Sequence, residues 1–166
     1  DFAFLTGTRD FISKGGDAAA LTRLFERDDL YTDHDSNAHS NVTCLGNHDL
    51  GRFAWFLQQD NSEADDTRLL ALDQLGHVLL FLARGQPAVY YGDEQGMLGT
   101  GNDMAARETM FASRTPLYRD ARLLGTARAG ADDKFDPAHP LFRTIRELAA
   151  LRTAHPALAR GAMLLR

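Results

Sequence analysis

Residues Asn47-His48-Asp49 place an amide, an imidazole and a carboxylate in consecutive positions straight after the apolar run Val42-Thr43-Cys44-Leu45. A second apolar run, Pro87-Ala88-Val89-Tyr90-Tyr91, ends the same way, in Gly92-Asp93-Glu94-Gln95-Gly96. Side chains of these types bind hydroxyls, move protons and stabilise developing positive charge. In parallel α/β enzymes, buried strands deliver such groups to their C-terminal mouths. Each motif alone is also ordinary loop chemistry, because Asn and Asp satisfy turn backbone groups and Gly-flanked acids are common in turns. Two of them, one βα unit apart and both at strand ends, converge on one rim, and that convergence favours a site.

Other candidates carry less. Asp33-His34-Asp35-Ser36-Asn37 imitates the start of a calcium loop, but its sixth position is Ala38 and its twelfth Cys44, where Gly and Glu are needed. The six histidines are scattered, with no zinc-type pair on a helix face. Asn41-Val42-Thr43 has the form of a glycosylation sequon, yet Thr43 falls in an expected buried strand. The single cysteine, Cys44, allows no internal disulfide and reads as a buried core thiol. No metal site is expected in this segment.

The elements that position the motifs follow from periodicity. Phe2–Leu5 reads as a short strand. Asp17–Arg27 reads as a helix with Leu21, Leu24 and Phe25 on one face. The polar stretch 28–41 is a loop, Val42–Leu45 a buried strand, and Phe53–Gln59 a short helix. Ser62–Asp65 fits an N-terminal cap for a helix Thr67–Arg84, with Leu69, Leu72, Leu75, Leu79 and Leu82 as its core stripe. Gly85 and Pro87 stop it, and Ala88–Tyr91 is the next buried strand. Residues 92–136 form a long irregular excursion with a short helix at Met104–Ala112, the kind of loop that carries function. His139-Pro140 opens a helix that ends before His155-Pro156. The alternation predicts α/β architecture with parallel strands under covering helices, Val42–Leu45 and Ala88–Tyr91 sharing one sheet with Thr67–Arg84 packed across them.

The chain has 166 residues, 44% hydrophobic and 25% charged, with a net charge of −5. It has no Lys/Arg cluster longer than a dipeptide, so nucleic acid is not expected as a partner. The longest strongly apolar window, Val78–Ala83, is far too short to span a bilayer, so no membrane partner is expected either. Both ends, Asp1-Phe2-Ala3-Phe4 and Met163-Leu164-Leu165-Arg166, have a strand-like pattern, and unpaired edges are a liability. The chain is therefore read as a piece of a longer protein.

Leu45-Gly-Asn-His-Asp-Leu-Gly-Arg52 closely resembles the segment after the seventh barrel strand of the α-amylase family of glycoside hydrolases. Pro87-Ala-Val-Tyr-Tyr-Gly-Asp-Glu-Gln-Gly96 resembles that family's eighth-strand segment. The likeness continues through Pro116-Leu-Tyr-Arg-Asp120, Pro140-Leu-Phe-Arg143 and Leu151-Arg-Thr-Ala-His-Pro-Ala-Leu158, in order and over essentially the whole chain. It implies a fragment of a (β/α)8 TIM barrel over residues 1–157, with Phe2–Leu5 as the sixth strand. Residues 158–166 would begin a C-terminal β domain, with Ala162–Arg166 opening its β-sandwich.

The resemblance also implies a function. Family members cleave α-glucosidic bonds with retention, using a carboxylate nucleophile and a carboxylic acid/base about 5 Å apart. In the family these follow the fourth and fifth strands, neither of which is in this chain. By motif match, Asp49 is the third, transition-state-stabilising carboxylate and His48 its sugar-binding neighbour, while Asn47 holds the turn. Glu94 is expected behind them, paired to an arginine such as Arg52. The expected substrate is a starch-like α-glucan or maltooligosaccharide, and the expected partner is the N-terminal part of the same barrel. No cofactor is expected in this segment, with calcium left open for the full-length enzyme. The family favours an extracellular or periplasmic location. The alternative is a non-catalytic barrel serving as a carbohydrate-binding or transporter-partner domain, though relatives of that kind tend to have lost the polar triplet that is intact here.

Overall fold

Asp1 opens the chain as a helix cap. In the computed structural model, which describes residues 1–99, 103–163 and 165, its carboxylate accepts the Phe4 backbone N–H at 2.9 Å, and Phe2–Thr8 form helix α1. The helix runs on through a π-helical turn, Arg9–Ser13. Phe4, Leu5, Thr8 and Ile12 are buried at helical spacing. The expected strand at Phe2–Leu5 is therefore corrected to a helix, and with it the assignment of those residues to a sixth barrel strand. Helix α2, Ala18–Phe25, follows the expected pattern, capped by Asp17, with Leu21 and Phe25 buried.

Among the described residues, two strands make the sheet. β1 (Val42–Thr43) and β2 (Gln86–Pro87) run parallel, with Val42 opposite Gln86 and Thr43 opposite Pro87. The ladder closes with Gln86 N–H donating to Asn41 O at 2.7 Å and Ala88 N–H donating to Thr43 O at 2.8 Å. Parallel pairing is as expected, but the strand bounds are corrected: β2 lies just before the expected Ala88–Tyr91, which forms no strand and is at best half-buried, with Tyr91 exposed, and β1 stops before Cys44 and Leu45. Each strand has one partner among the described residues, so burial is one-sided: Thr43 is fully buried, whereas Val42 is 56% exposed.

The crossover between the strands carries the core. Helix α3 spans Phe53–Asp60 and α4 spans Asp66–Leu82. The cap of α4 is Asp65, whose carboxylate accepts the Arg68 N–H at 2.8 Å; the expected motif began one turn earlier, at Ser62. α4 buries Leu69, Leu72, Asp73, Gly76, His77, Leu80 and Phe81, while Leu75 and Leu82 are exposed. Its buried face is thus rotated from the expected leucine stripe, because α4 lies against α3 and against α7 (Pro140–Ala154) rather than chiefly over the strands. Gly76 allows the close approach to α3: a Cβ there would sit 2.3 Å from the Phe53 ring.

Helix α7 begins at Pro140, and His139 caps it by accepting the Leu141 N–H at Nδ1 (3.2 Å). Nε2 of His139 then donates to Leu124 O at 2.9 Å, and burial, which lowers its pKa, keeps the ring neutral for both roles. Near the other end of α7, buried Arg152 donates to Phe81 O (2.5 Å), Ala83 O (3.1 Å) and Gly85 O (2.6 Å). It ties the last turn of α4 to the start of β2. Arg152→Ala strands these carbonyls, and a loss of about 3–5 kcal/mol is expected. A melting temperature lowered by several degrees in the protein carrying this chain checks it; an unchanged value refutes it.

Among the described residues, the excursion after β2 opens with a 3-10 turn, Asp93–Gln95, and holds two single-turn α-helices, α5 (Asp103–Ala106) and α6 (Pro116–Arg119). The expected helix Met104–Ala112 is cut short because Glu108 turns inward. Glu108 meets fully buried Lys134 at 3.4 Å, and Lys134 Nζ also donates to Gly130 O (3.1 Å) and Phe111 O (3.2 Å). Helix α8, Pro156–Arg160, is the last element among the described residues. Of the expected sandwich start, Leu164 and Arg166 lie outside the described residues, and Ala162, Met163 and Leu165 form no strand.

Candidate active site at the strand mouths

Asn47 builds the loop on which its neighbours stand. Its backbone N–H and C=O both pair with Gly51 at 3.0 Å, and its Oδ1 accepts the N–H groups of Asp49 (2.9 Å) and Leu50 (2.8 Å). Gly51 closes the loop at φ +107°, a conformation L side chains rarely adopt. With the backbone satisfied by Asn47, His48 and Asp49 are left projecting, with side chains 52% and 65% exposed. His48 Nε2 lies 3.3 Å from Asp49 Oδ1. The three residues thus sit together just beyond the C-terminal end of β1, as the sequence predicts.

Arg107 completes the cluster and was not anticipated. Its Nη2 lies 3.4 Å from Asp49 Oδ1 and 3.4 Å from Asp103 Oδ2. It comes from the end of α5, so the excursion reaches back over the β1 mouth. The one sequence signal was Asp103 four residues earlier, the helical spacing of an ion pair.

Arg52 and Glu94 are placed differently from expectation. Arg52 is fully buried, and its Nη1 donates to Asp93 Oδ1 at 2.8 Å and to Tyr91 O at 2.6 Å, while Nη2 donates to Ala106 O at 3.0 Å. Its guanidinium lies 4.6 Å from the Tyr90 ring centroid and 5.1 Å from that of Tyr91. The partner of Arg52 is therefore Asp93, not Glu94. Glu94 instead folds back to accept the Gly92 N–H at 2.8 Å and lines an apolar groove with Val89, Phe142 and Ile145. Burial pushes the Asp93 carboxyl up to about 6, against the pull of Arg52 and His77. Below it, buried His77 contacts Asp73 at 3.1 Å; burial opposes its charge, but the Asp73 carboxylate prevails and raises its pKa.

Metal-ligating types come together at one place among the described residues, Asp33, His34 and Asp35, whose ligand atoms lie within 4.8 Å of one another on an exposed loop. Cys44 is half-buried rather than buried, and burial pushes its thiol up, away from reactivity. The chemistry-bearing cluster is thus an exposed carboxylate, imidazole and guanidinium over a buried ionic floor, a set suited to grip hydroxyl groups through charge-assisted hydrogen bonds.

Comparison with known proteins places the chain in a family. The chain is 50% identical over 161 residues to an alpha-amylase of Streptomyces lividans, covering 97% of this chain and 18% of that protein. It is 31% identical over 120 residues to a cyclomaltodextrin glucanotransferase of Paenibacillus macerans, covering 72% of this chain and 12% of that one. The chain thus spans less than a fifth of the length of either relative. Among solved structures, the cyclic alpha-maltosyl-(1→6)-maltose hydrolase of Arthrobacter globiformis superposes with a TM-score of 0.67 and 26% identity, over 100% of this chain and 32% of that one. Its helix-flanked parallel strands are accordingly a portion of an α/β barrel. The sequence model of the family described as alpha amylase, catalytic domain, matches residues 2–161. With Asn47-His48-Asp49 at a strand mouth inside that match, the chain belongs to the alpha-amylase catalytic-domain family.

Proposed function

We propose that this chain supplies part of the sugar-binding rim of a retaining glycoside hydrolase acting on α-glucosidic bonds of starch-like glucans or maltooligosaccharides. The observation that carries the reading is the triad of His48, Asp49 and Arg107, held together at the mouth of β1. An oxocarbenium-like transition state flattens the sugar ring, so hydrogen bonds to ring hydroxyls strengthen as the bond breaks. A carboxylate makes such bonds more strongly than a neutral acceptor. Asp49 takes that role, His48 adds a second contact, and Arg107 holds the Asp49 carboxylate in place. The nucleophile and acid/base come from the other strands of the same barrel, and an anion at Asp49 helps keep the acid protonated.

The test is stereochemical. The protein carrying this chain is incubated with an α-1,4-linked maltooligosaccharide, and the fresh product is read by proton NMR before it mutarotates. The α-anomer is expected. A β-anomer overturns the retaining mechanism, and no cleavage overturns the assignment as a hydrolase.

A further inference from the structure

We propose that Arg52 is a positioning residue that sets Asp49 against Arg107, by bolting the base of the Asn47–Gly51 loop to the two segments that face it. The inference rests on the site reading above and deepens it. Arg52 directly follows Gly51, the closing residue of the Asp49 loop. One guanidinium fork reaches Tyr91 O and Asp93 Oδ1 beyond β2, and the other reaches Ala106 O, the residue just before Arg107. Tyr90 Oη donates to the same carbonyl at 3.0 Å, so Ala106 is pinned twice.

Stability alone does not account for this arrangement. A fully buried arginine is costly to desolvate, and an apolar side chain would fill the space without that cost. What the arginine adds is direction: a planar fork fixes two segments at defined angles, and the aromatic rings of Tyr90 and Tyr91 fix its plane. Arg52 itself stands on the segment that bears Asp49, and Ala106, which its Nη2 holds, is next to Arg107. Asp93 is the ionic arm of the clamp and the carbonyls of Tyr91 and Ala106 are its neutral arms, with His77, Asp73 and Glu108 as the charged groups around it. A group that must meet a sugar hydroxyl at hydrogen-bond distance tolerates little displacement, and an error of 1 Å costs on the order of 100-fold in rate.

The test is a double-mutant cycle in the protein carrying this chain, assayed on a maltooligosaccharide. Arg52→Lys keeps the charge but offers one donor centre instead of a fork. It is expected to lower kcat about 10- to 100-fold with KM changed less than about 3-fold. In an Asp49→Asn background the same change should cost less than about 3-fold, since the group it positions is already disabled. Losses that multiply in the double variant, or a folded Arg52→Lys enzyme with wild-type kcat, overturn the proposal. If Arg52→Lys fails to fold, Asp93→Asn replaces it in the cycle: it leaves an acceptor for Nη1, and a several-fold, non-multiplying loss in kcat is expected, with no loss or a multiplying loss overturning the proposal. An Asp49→Asn single variant of normal kcat sinks the site reading instead, so the two failures are distinguishable.

Discussion

Asp49→Asn is expected to cut kcat by two to three orders of magnitude in the protein carrying this chain, while the melting temperature stays within a few degrees of wild type. The structure separates the two effects. The loop is held by Asn47 Oδ1 and by the paired backbone of Asn47 and Gly51, and the Asp49 side chain accepts none of the loop's N–H groups. Its contacts are with His48 and Arg107, both substantially exposed, and exposed ion pairs contribute little to stability. Asn preserves shape and one acceptor oxygen but removes the charge, so it forfeits interactions that grow toward the transition state, and KM should change less than kcat. His48→Asn should cost less, because an imidazole supplies one hydrogen bond rather than a full charge. If Asp49 were merely a loop cap, the pattern would reverse, with lowered stability and near-normal turnover per folded molecule. Melting temperature and kcat measured on the same preparations decide between them.

The site was legible where its geometry is local. Asn47, His48 and Asp49 are consecutive, follow an apolar run and precede a glycine, so the loop and its projecting groups could be read from residue types alone. The helix at Pro140–Ala154 was equally local, marked by a proline start and a histidine cap. What escaped was contact between distant segments. Arg107 meets Asp49 across 58 positions, and Arg52 meets Ala106 across 54; no local pattern encodes either. The choice between Asp93 and Glu94 as the partner of Arg52 failed for a related reason. Adjacent acids in a tight 3-10 turn project to different sides, and which side faces the arginine is set by β2 and the excursion together.

The misread first element has a different cause. Four residues, Phe2-Ala3-Phe4-Leu5, are too few for period 2 and period 3.6 to be told apart. The signals that decide it lie outside the run: Asp1 as a cap before it, and Thr8 and Ile12 as the next two positions on the same buried face. The leucine stripe of α4 shows the converse. Its spacing was sound as evidence for a helix, but the buried face includes Asp73, Gly76 and His77, which hydrophobic patterning discounts. Those residues are buried because Gly76 admits the Phe53 ring and because His77 Nδ1 is held 3.0 Å from Asp73 O and 3.1 Å from the Asp73 carboxylate.

Expressed alone, the 166-residue chain is expected to show no cooperative thermal transition and no hydrolysis of starch. Two strands paired only with each other leave two open edges among the described residues, and an isolated two-stranded sheet is marginal in water. Apolar surface is also left open in two grooves. Val89, Phe142, Ile145 and Ala149 line one groove, while Phe11, Leu75, Val78, Leu79 and Leu82 line another. Continuous apolar surface of this kind marks a face that is covered in the working protein, and left bare it favours association. Barrel closure would supply strands for both edges and cover for both grooves, and the fold match to about a third of the Arthrobacter globiformis hydrolase is consistent with such closure. Catalysis is expected to fail for a separate reason: on the proposed reading, the transition state that Asp49 would stabilise needs a nucleophile and an acid/base from elsewhere in the barrel. A sharp calorimetric transition with near-ultraviolet circular dichroism for the isolated chain would refute the folding half. Release of maltose from starch by the same preparation would refute the catalytic half.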